Sequence, residues 1–442
     1  MGWRDSASGH VASVGEGLMD QVADIFGPSA RRQPHILPAR QQATLITEMV
    51  RERLDTILPR AMQAAGLDVW LILCQEDDPD PLFKTMIPMD TWSPILSMLV
   101  FVSEGASVRR YNICGTNTKD LYERLYEGQL EEKQWPRLIE LLEACDPRTI
   151  GINIGSVAWS GGGLTQFLYR ELLAKLPEKF HACLVSAEAA AVQWASTLTE
   201  REKTLFQRIS ALGQYMISAC FNEGVVTPGV TTVDDLVWHY WQHSRDLGLE
   251  LAFRPFFSIR RDQRETRYPK DVISPGDVIH CDVGIKYLRL NSDHQHLAYV
   301  PRLGETDVPP GLKARMADTN LLQDIYMAGF RHGASGNEML AEMHAKAHAA
   351  GLQTPRIYSH NLGLFLHQPG PLIGLPWEQM NTGPRGDVRL EYDSAFVMEL
   401  STDGPVPEWG GQILRAEMEE PVIFTREGCR TLCGRQTEFH VI

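Results

Sequence analysis

Two stretches of this sequence read alike, and any fold for the chain has to accommodate the repetition. Gly229-Val230-Thr231-Thr232-Val233-Asp234-Asp235-Leu236 opens a helical pattern reaching Gly248, and Gly333-Ala334-Ser335-Gly336-Asn337-Glu338-Met339-Leu340 opens another reaching Gly351. Each combines a glycine turn, a hydroxyl residue suited to capping, an acidic or amide first turn and a closing glycine. Strand-like sequence follows both, at 251–259 and at 356–366. The pairing predicts a duplicated α/β half, preceded by a long helix starting at Thr199, where Glu200 and Glu202 supply an acidic first turn.

Upstream, the pattern is different. Leu45, Ile46, Met49, Val50, Leu54 and Leu58 recur at helical spacing after Ala39. Short apolar runs at Val69–Leu73, Met98–Val102 and Thr149–Asn153 read as buried strands, separated by helical stretches such as 135–144. That alternation predicts a small α/β domain with a partly parallel sheet over 39–190 and a second domain over 199–442. Residues 1–38, rich in Gly, Ser and Ala, read as a leader or arm whose first residues loosely match an N-myristoylation pattern.

Composition narrows the function. A formal net charge of −14 argues against nucleic acid, which calls for clustered Lys and Arg. No window holds eighteen consecutive apolar residues, so no membrane span is expected. The eight cysteines are scattered, which disfavours a disulfide or structural zinc framework and makes the cytoplasm the expected compartment.

The acidic residues of the repeated half carry the chemistry. Val278–Ile285 reads as a buried strand bearing Asp282, and Asp293 follows eleven positions later. Two neighbouring strands joined by a short turn would place both carboxylates on one face. Buried together, they require protons, basic partners or cations. His360 and His367 lie seven apart in an apolar stretch, Glu399 sits in the strand-like run Phe396–Leu400, and Glu417, Glu419 and Glu420 crowd into another. His294 and His296 flank Asp293 and read as structural, since strand alternation turns His294 away from the carboxylate face.

In this order (Asp, Asp, His, Glu, Glu), and in Asp282-Val283-Gly284, Ser292-Asp293 and Ser359-His360-Asn361-Leu362-Gly363-Leu364-Phe365-Leu366-His367, the chain resembles the pita-bread metallopeptidase family. That family includes methionine aminopeptidase, aminopeptidase P, prolidase and creatinase. The resemblance implies an α/β (α+β) fold, with a creatinase-like N-terminal α/β domain before a pseudo-twofold pita-bread catalytic domain. It also implies two divalent metal ions, Mn²⁺ first among Mn²⁺, Co²⁺, Fe²⁺ and Zn²⁺, held by Asp282, Asp293, His360, Glu399 and Glu419. Glu419 is selected because the family's ligand stands six positions before the threonine that ends its strand; Glu417, on the same strand face, remains an alternative. His367 takes the place of the histidine that donates to the substrate carbonyl. The implied protein is a homodimeric, dinuclear hydrolase of the Xaa-Pro aminopeptidase or dipeptidase type, acting on short peptides through a metal-bridged water.

Two further histidines that contact substrate in proline-directed relatives are missing. Near Glu265 the chain has Arg260, Arg261, Arg264 and Arg267, and four positions before His360 it has Arg356. These arginines are either a solvated basic run or a clamp for a substrate carboxylate formed by Arg264, Arg267 and Arg356. Trp409, between two of the ligands, is a candidate pocket wall. The departures leave open a non-peptide C–N hydrolase on the same fold, and less so a non-catalytic binding module.

Overall fold

A computed structural model describes residues 34–442 except 94, 129, 158 and 160. The leader expected at 1–38 lies outside the described residues up to 33. The chain separates into two compact units that part between Glu202 and Lys203.

The first unit carries a six-stranded sheet in the order β4-β3-β2-β1-β5-β6, formed by β1 (Val69–Gln75), β2 (Leu96–Glu104), β3 (Ser107–Ile113), β4 (Glu123–Tyr126), β5 (Ile150–Ile152) and β6 (Leu184–Ser186). β1 runs antiparallel to β2 but parallel to β5, and β5 parallel to β6, so the sheet is partly parallel as the alternation predicts. The apolar run of β1 is unbroken because it is buried throughout. Its Val69, Leu71 and Leu73 share a core with Leu138 and Leu142 of the helix Glu131–Cys145 and with Leu168 and Leu172 of the helix Gln166–Lys175. Arg53 is buried at this unit's edge, donating to Glu202 at 2.7 Å and to the carbonyls of Thr197 and Trp194. The guanidinium is therefore paired and hydrogen-bonded, as a buried charge has to be.

The helix Glu200–Cys220 starts where the acidic turn predicts and leads into the second unit. The two repeated segments then form the helices Val233–Leu247 and Gly336–Ala349. Both open on a reciprocal capping box, Thr232 with Asp235 and Ser335 with Glu338. The first ends on Gly248 in the left-handed region, a conformation that costs glycine nothing.

The strands following these helices are β7 (Glu250–Leu251), β8 (Phe256–Arg260), β9 (Val278–Val283), β10 (Ile285–Tyr287), β11 (Leu290–Asn291) and β12 (His294–Tyr299) in the first half. The second half supplies β13 (Arg356–Tyr358), β14 (Ser394–Val406), β15 (Gln412–Thr425) and β16 (Gly428–Thr431), and β17 (His440–Val441) closes the chain. The main sheet runs β13-β14-β15-β12-β9-β8, with β16 on β15 and β17 on β12. Read from the seam between β15 and β12, the order outward is third, second and first strand of each half. The duplication thus becomes a pseudo-twofold sheet.

Alternation along the strands sorts the two faces. In β14, Phe396, Met398 and Leu400 pack on Leu322 and Tyr326 of the helix Pro310–Ala328 and on Met339, Leu340 and Met343 of the helix Gly336–Ala349. Glu399, between Met398 and Leu400, must face the other way. One sequence expectation is corrected here. The stretch 356–366 is a strand only as far as Tyr358, because beyond it the chain is held by separate bridges, Ser359 to Ile373 and Asn361 to Phe396. The expected strand 251–259 likewise splits into β7 and β8.

Candidate metal centre

Five antiparallel pairings align one row of residues across the whole sheet. Phe256 is opposite Asp282, Asp282 opposite Gln295, Gln295 opposite Glu419, Glu419 opposite Glu399, and Glu399 opposite Tyr358. Directly opposed residues project to the same face, so the register alone brings Asp282, Glu399 and Glu419 together. Asp293 immediately precedes β12, two positions before Gln295, and shares that face. His360 arrives from the bridged segment, whose carbonyl accepts from Val397 NH at 3.0 Å.

Ligand atoms of Asp293, His360 and Glu419 all lie within 4.8 Å of one another, and His360 Nε2 is 3.9 Å from Asp293 Oδ2. All three residues are at most 4% exposed. His360 Nδ1 lies 3.1 Å from the Asn361 carbonyl, which can only accept, so the proton is on Nδ1 and Nε2 keeps its lone pair for the carboxylate side. Asp293 Oδ1 and Glu419 Oε1 are buried with no hydrogen-bond partner. Orphaned carboxylate oxygens facing an imidazole lone pair are the signature of a site that fits a cation, since a buried polar atom otherwise requires a partner.

Electrostatics agree. Burial, then the Glu417 charge, pushes the Asp282 carboxyl up to about 7. Burial, then Asp282, pushes Glu399 up to about 8. Asp293 and Glu419 are raised well above the carboxylate range, by burial and then by the other carboxylates of the row. Burial and the neighbouring His367 hold His360 down to about 3, so its imidazole is neutral and available as a ligand.

Glu419 and Glu417 are now distinguishable. Glu419 belongs to the cluster, whereas Glu417 Oε2 accepts from Arg260 Nη2 at 2.7 Å. His294 and His296 are on the opposite face, where His296 Nε2 lies 2.8 Å from Glu420 and His294 Nε2 3.7 Å from it. The His367 ring stands 4.2 Å from that of His360, edge to face, and is exposed.

Three expected substrate contacts need correction. Arg264 binds Asp262 and the Glu408 carbonyl, and Arg267 binds Glu265, so each guanidinium is committed locally to a carboxylate two residues back. Trp409 is 2% exposed and belongs to a core with Leu312, Met316 and Leu414, so its indole is packing material and not a pocket wall. Arg356 does line a cleft beside the site, with Glu399 and Gln295.

The residues not anticipated are Gln295 and Arg385. Gln295 donates to Glu419 Oε2 at 2.9 Å and lies 2.9 Å from His280 Nε2 through its own oxygen, which fixes the glutamate's orientation. Its parity with Asp293 was the available signal. Arg385, 8% exposed in a 3-10 turn (Gly383–Arg385), donates to the Gln368 carbonyl, and its charge helps to lower both His360 and His367. Nothing in Gly-Pro-Arg-Gly marks it in sequence. Replacing Gln295 by alanine is expected to weaken metal affinity about tenfold to hundredfold, the usual effect of losing a group that orients a ligand. Metal titration by calorimetry measures it, and unchanged affinity would remove Gln295 from the site.

Comparison with known proteins was informative at the level of family and fold. Residues 205–422 match the model for metallopeptidase family M24 (Peptidase_M24). No curated protein matches the sequence. Among solved structures, an X-Pro aminopeptidase from Thermotoga maritima superposes with a TM-score of 0.60 at 17% identity, over 87% of this chain and 100% of its own. An Xaa-Pro dipeptidase from Bacillus anthracis gives 0.61 at 16% identity, over 90% and 100%. The N-terminal domain of a FACT complex subunit from Cicer arietinum (chickpea) gives 0.58 at 10% identity, over 89% and 99%. At such identities the likeness shows a shared pita-bread architecture, and activity has to be argued from the site.

Proposed function

Because residues 205–422 match the model for metallopeptidase family M24, we propose that this protein is a dinuclear metal-dependent peptidase acting on short peptides, of the Xaa-Pro aminopeptidase or dipeptidase type. The observation that carries the reading is the row Asp282–Gln295–Glu419–Glu399, with Asp293 and His360 closing it around buried oxygens that have no protein partner. Asp282, Asp293, His360, Glu399 and Glu419 are the residues to hold two divalent ions, Mn²⁺ being the first candidate. When bound, such ions supply an activated water and polarise the carbonyl to be attacked.

The chain's own groups do the rest. His360 is kept neutral, and Gln295 fixes the Glu419 carboxylate. The His367 imidazole, lowered by partial desolvation of its ring and then by Arg385, is able to donate a hydrogen bond to the oxygen that gains charge during attack. Arg385 adds a positive charge that acts on both His360 and His367. Among the described residues no helix is long and apolar enough to cross a membrane.

The test is metal analysis together with a panel of Xaa-Pro, proline-containing tripeptide and non-proline dipeptide substrates. Two equivalents of metal and cleavage within the panel are expected. Tight metal binding without cleavage of any peptide would overturn the peptidase assignment while leaving the metal centre standing.

A further inference from the structure

One step along the strands from the metal row is a second row on the same face. Arg356 on β13 is opposite Ser401 on β14, and Ser401 is opposite Glu417 on β15. A cleft runs between the two rows, lined by Glu399, Gln295 and Tyr358 on the metal side and by Arg356, Ser401 and Glu417 on the other. Two residues of an extended strand span roughly 7 Å, so this second row stands about two residue lengths along the strand from Glu399.

The cations around this cleft are not equivalent. Arg260 is paired with Glu417 at 2.7 Å and Arg415 with Asp403 at 2.8 Å. Arg264 and Arg267 are paired with Asp262 and Glu265. Among the described residues no carboxylate lies within ion-pair distance of Arg356, and its Nε is buried without an acceptor. Beside it, Ser401 is 7% exposed, and neither its hydroxyl nor that of Tyr358 takes a hydrogen-bond partner among the described residues. A half-buried guanidinium whose Nε is buried without an acceptor is costly to hold in a folded chain unless a ligand completes it. Guanidinium geometry matches a planar carboxylate bidentately, and the neighbouring hydroxyls can donate to the same oxygens.

We propose that Arg356, with Ser401 and Tyr358, forms a subsite for a substrate carboxylate, so that the enzyme selects short peptides carrying a free carboxylate within about two residues of the scissile bond. The inference rests on the peptidase reading for the word substrate, but not for the binding itself. Two sources share this chemistry: the C-terminal carboxylate of a dipeptide, and an acidic side chain next to the scissile bond. Glu417 borders the cleft and is paired with Arg260 at 2.7 Å, which offsets part of its repulsion of an anion arriving at Arg356.

Binding of four probes to the metal-loaded full chain, followed by calorimetry or thermal shift, separates the cases: alanyl-alanine, alanyl-alanine amide, alanyl-glutamate amide and alanyl-glutamine amide. If the C-terminal carboxylate is the ligand, the wild type favours alanyl-alanine over its amide by about tenfold to hundredfold, the worth of a hydrogen-bonded charge. Arg356→Ala abolishes that preference, and Arg356→Lys restores part of it. If a side-chain carboxylate is the ligand, the same pattern appears between alanyl-glutamate amide and alanyl-glutamine amide. Where these peptides are cleaved, the loss falls on KM, with kcat nearly unchanged. A wild type that fails to discriminate in both pairs overturns the subsite, as does a preference that survives Arg356→Ala. Arg356-dependent binding without cleavage would overturn the peptidase reading and leave the subsite intact.

Discussion

Replacing Asp293 by alanine is expected to reduce peptide hydrolysis about a thousandfold or more and to eliminate tight binding of at least one metal equivalent. Asp293 shares the narrowest part of the cluster with His360 and Glu419 and holds an oxygen that no protein group satisfies. A bound ion contributes several kcal/mol of charge stabilisation, and each 1.4 kcal/mol is a factor of ten in rate, which sets the thousandfold scale. Glu419→Ala is expected to match it. Glu417→Ala is the informative control, because Glu417 is opposite Ser401 and paired with Arg260, outside the cluster. It should retain two metal equivalents. If Glu417→Ala loses a metal and Glu419→Ala does not, the ligand assignment is reversed.

The second large effect concerns pH. In the metal-free protein the Asp282 carboxyl is pushed up to about 7 and Glu399 up to about 8, in both cases chiefly by burial. Their unfolded values are near 4. A folded value above the unfolded one means that the fold binds protons the unfolded chain releases. The stabilisation is thus complete below about pH 4 and is lost as pH rises through 7 and 8, at up to about 1.4 kcal/mol per pH unit for each group. For the chelated protein, Tm should fall on the order of ten degrees between pH 5.5 and 8.5. Added divalent metal should reverse the trend, because ligands must be deprotonated to bind it, and metal at a hundred times its Kd adds about 2.7 kcal/mol per site. Paired melting curves with and without chelator measure both slopes. A metal-free Tm that is flat or rising over this range would contradict the account of the carboxylate row.

Much of this was legible in sequence because it was local. The capping residues Thr232 and Ser335, the buried run of β1, and the carboxylates of Asp282 and Glu399 on alternating strands are all set within a few residues. What was not legible depends on partners distant in sequence. Gln295 stands between two histidines that drew attention by chemistry, and only its pairing with Glu419, 124 positions away, shows which of the three faces the metal side. The basic run at 260–267 looked like a clamp because charge can be read from sequence but pairing cannot, and Asp262 and Glu265 were already there to neutralise it. Trp409 lay between two ligands in sequence while folding under the helix Pro310–Ala328. Strand β3, paired on both sides yet carrying Arg109 and Arg110, has none of the continuous apolar run that reveals β1.

The seam at Gln295 and Glu419 has a consequence for how this chain reaches its native state. The contact between β12 and β15 joins the three strands of each half into one sheet, and a slip of a single residue there would turn a whole half's acids toward the helices. Misdocked halves would still bury apolar surface, so hydrophobic collapse alone discriminates poorly between the two alignments. A cation discriminates sharply, because only the correct alignment presents oxygens from both halves to one point. Metal present during refolding is therefore expected to raise the yield of correctly joined chains above its effect on the stability of those already formed.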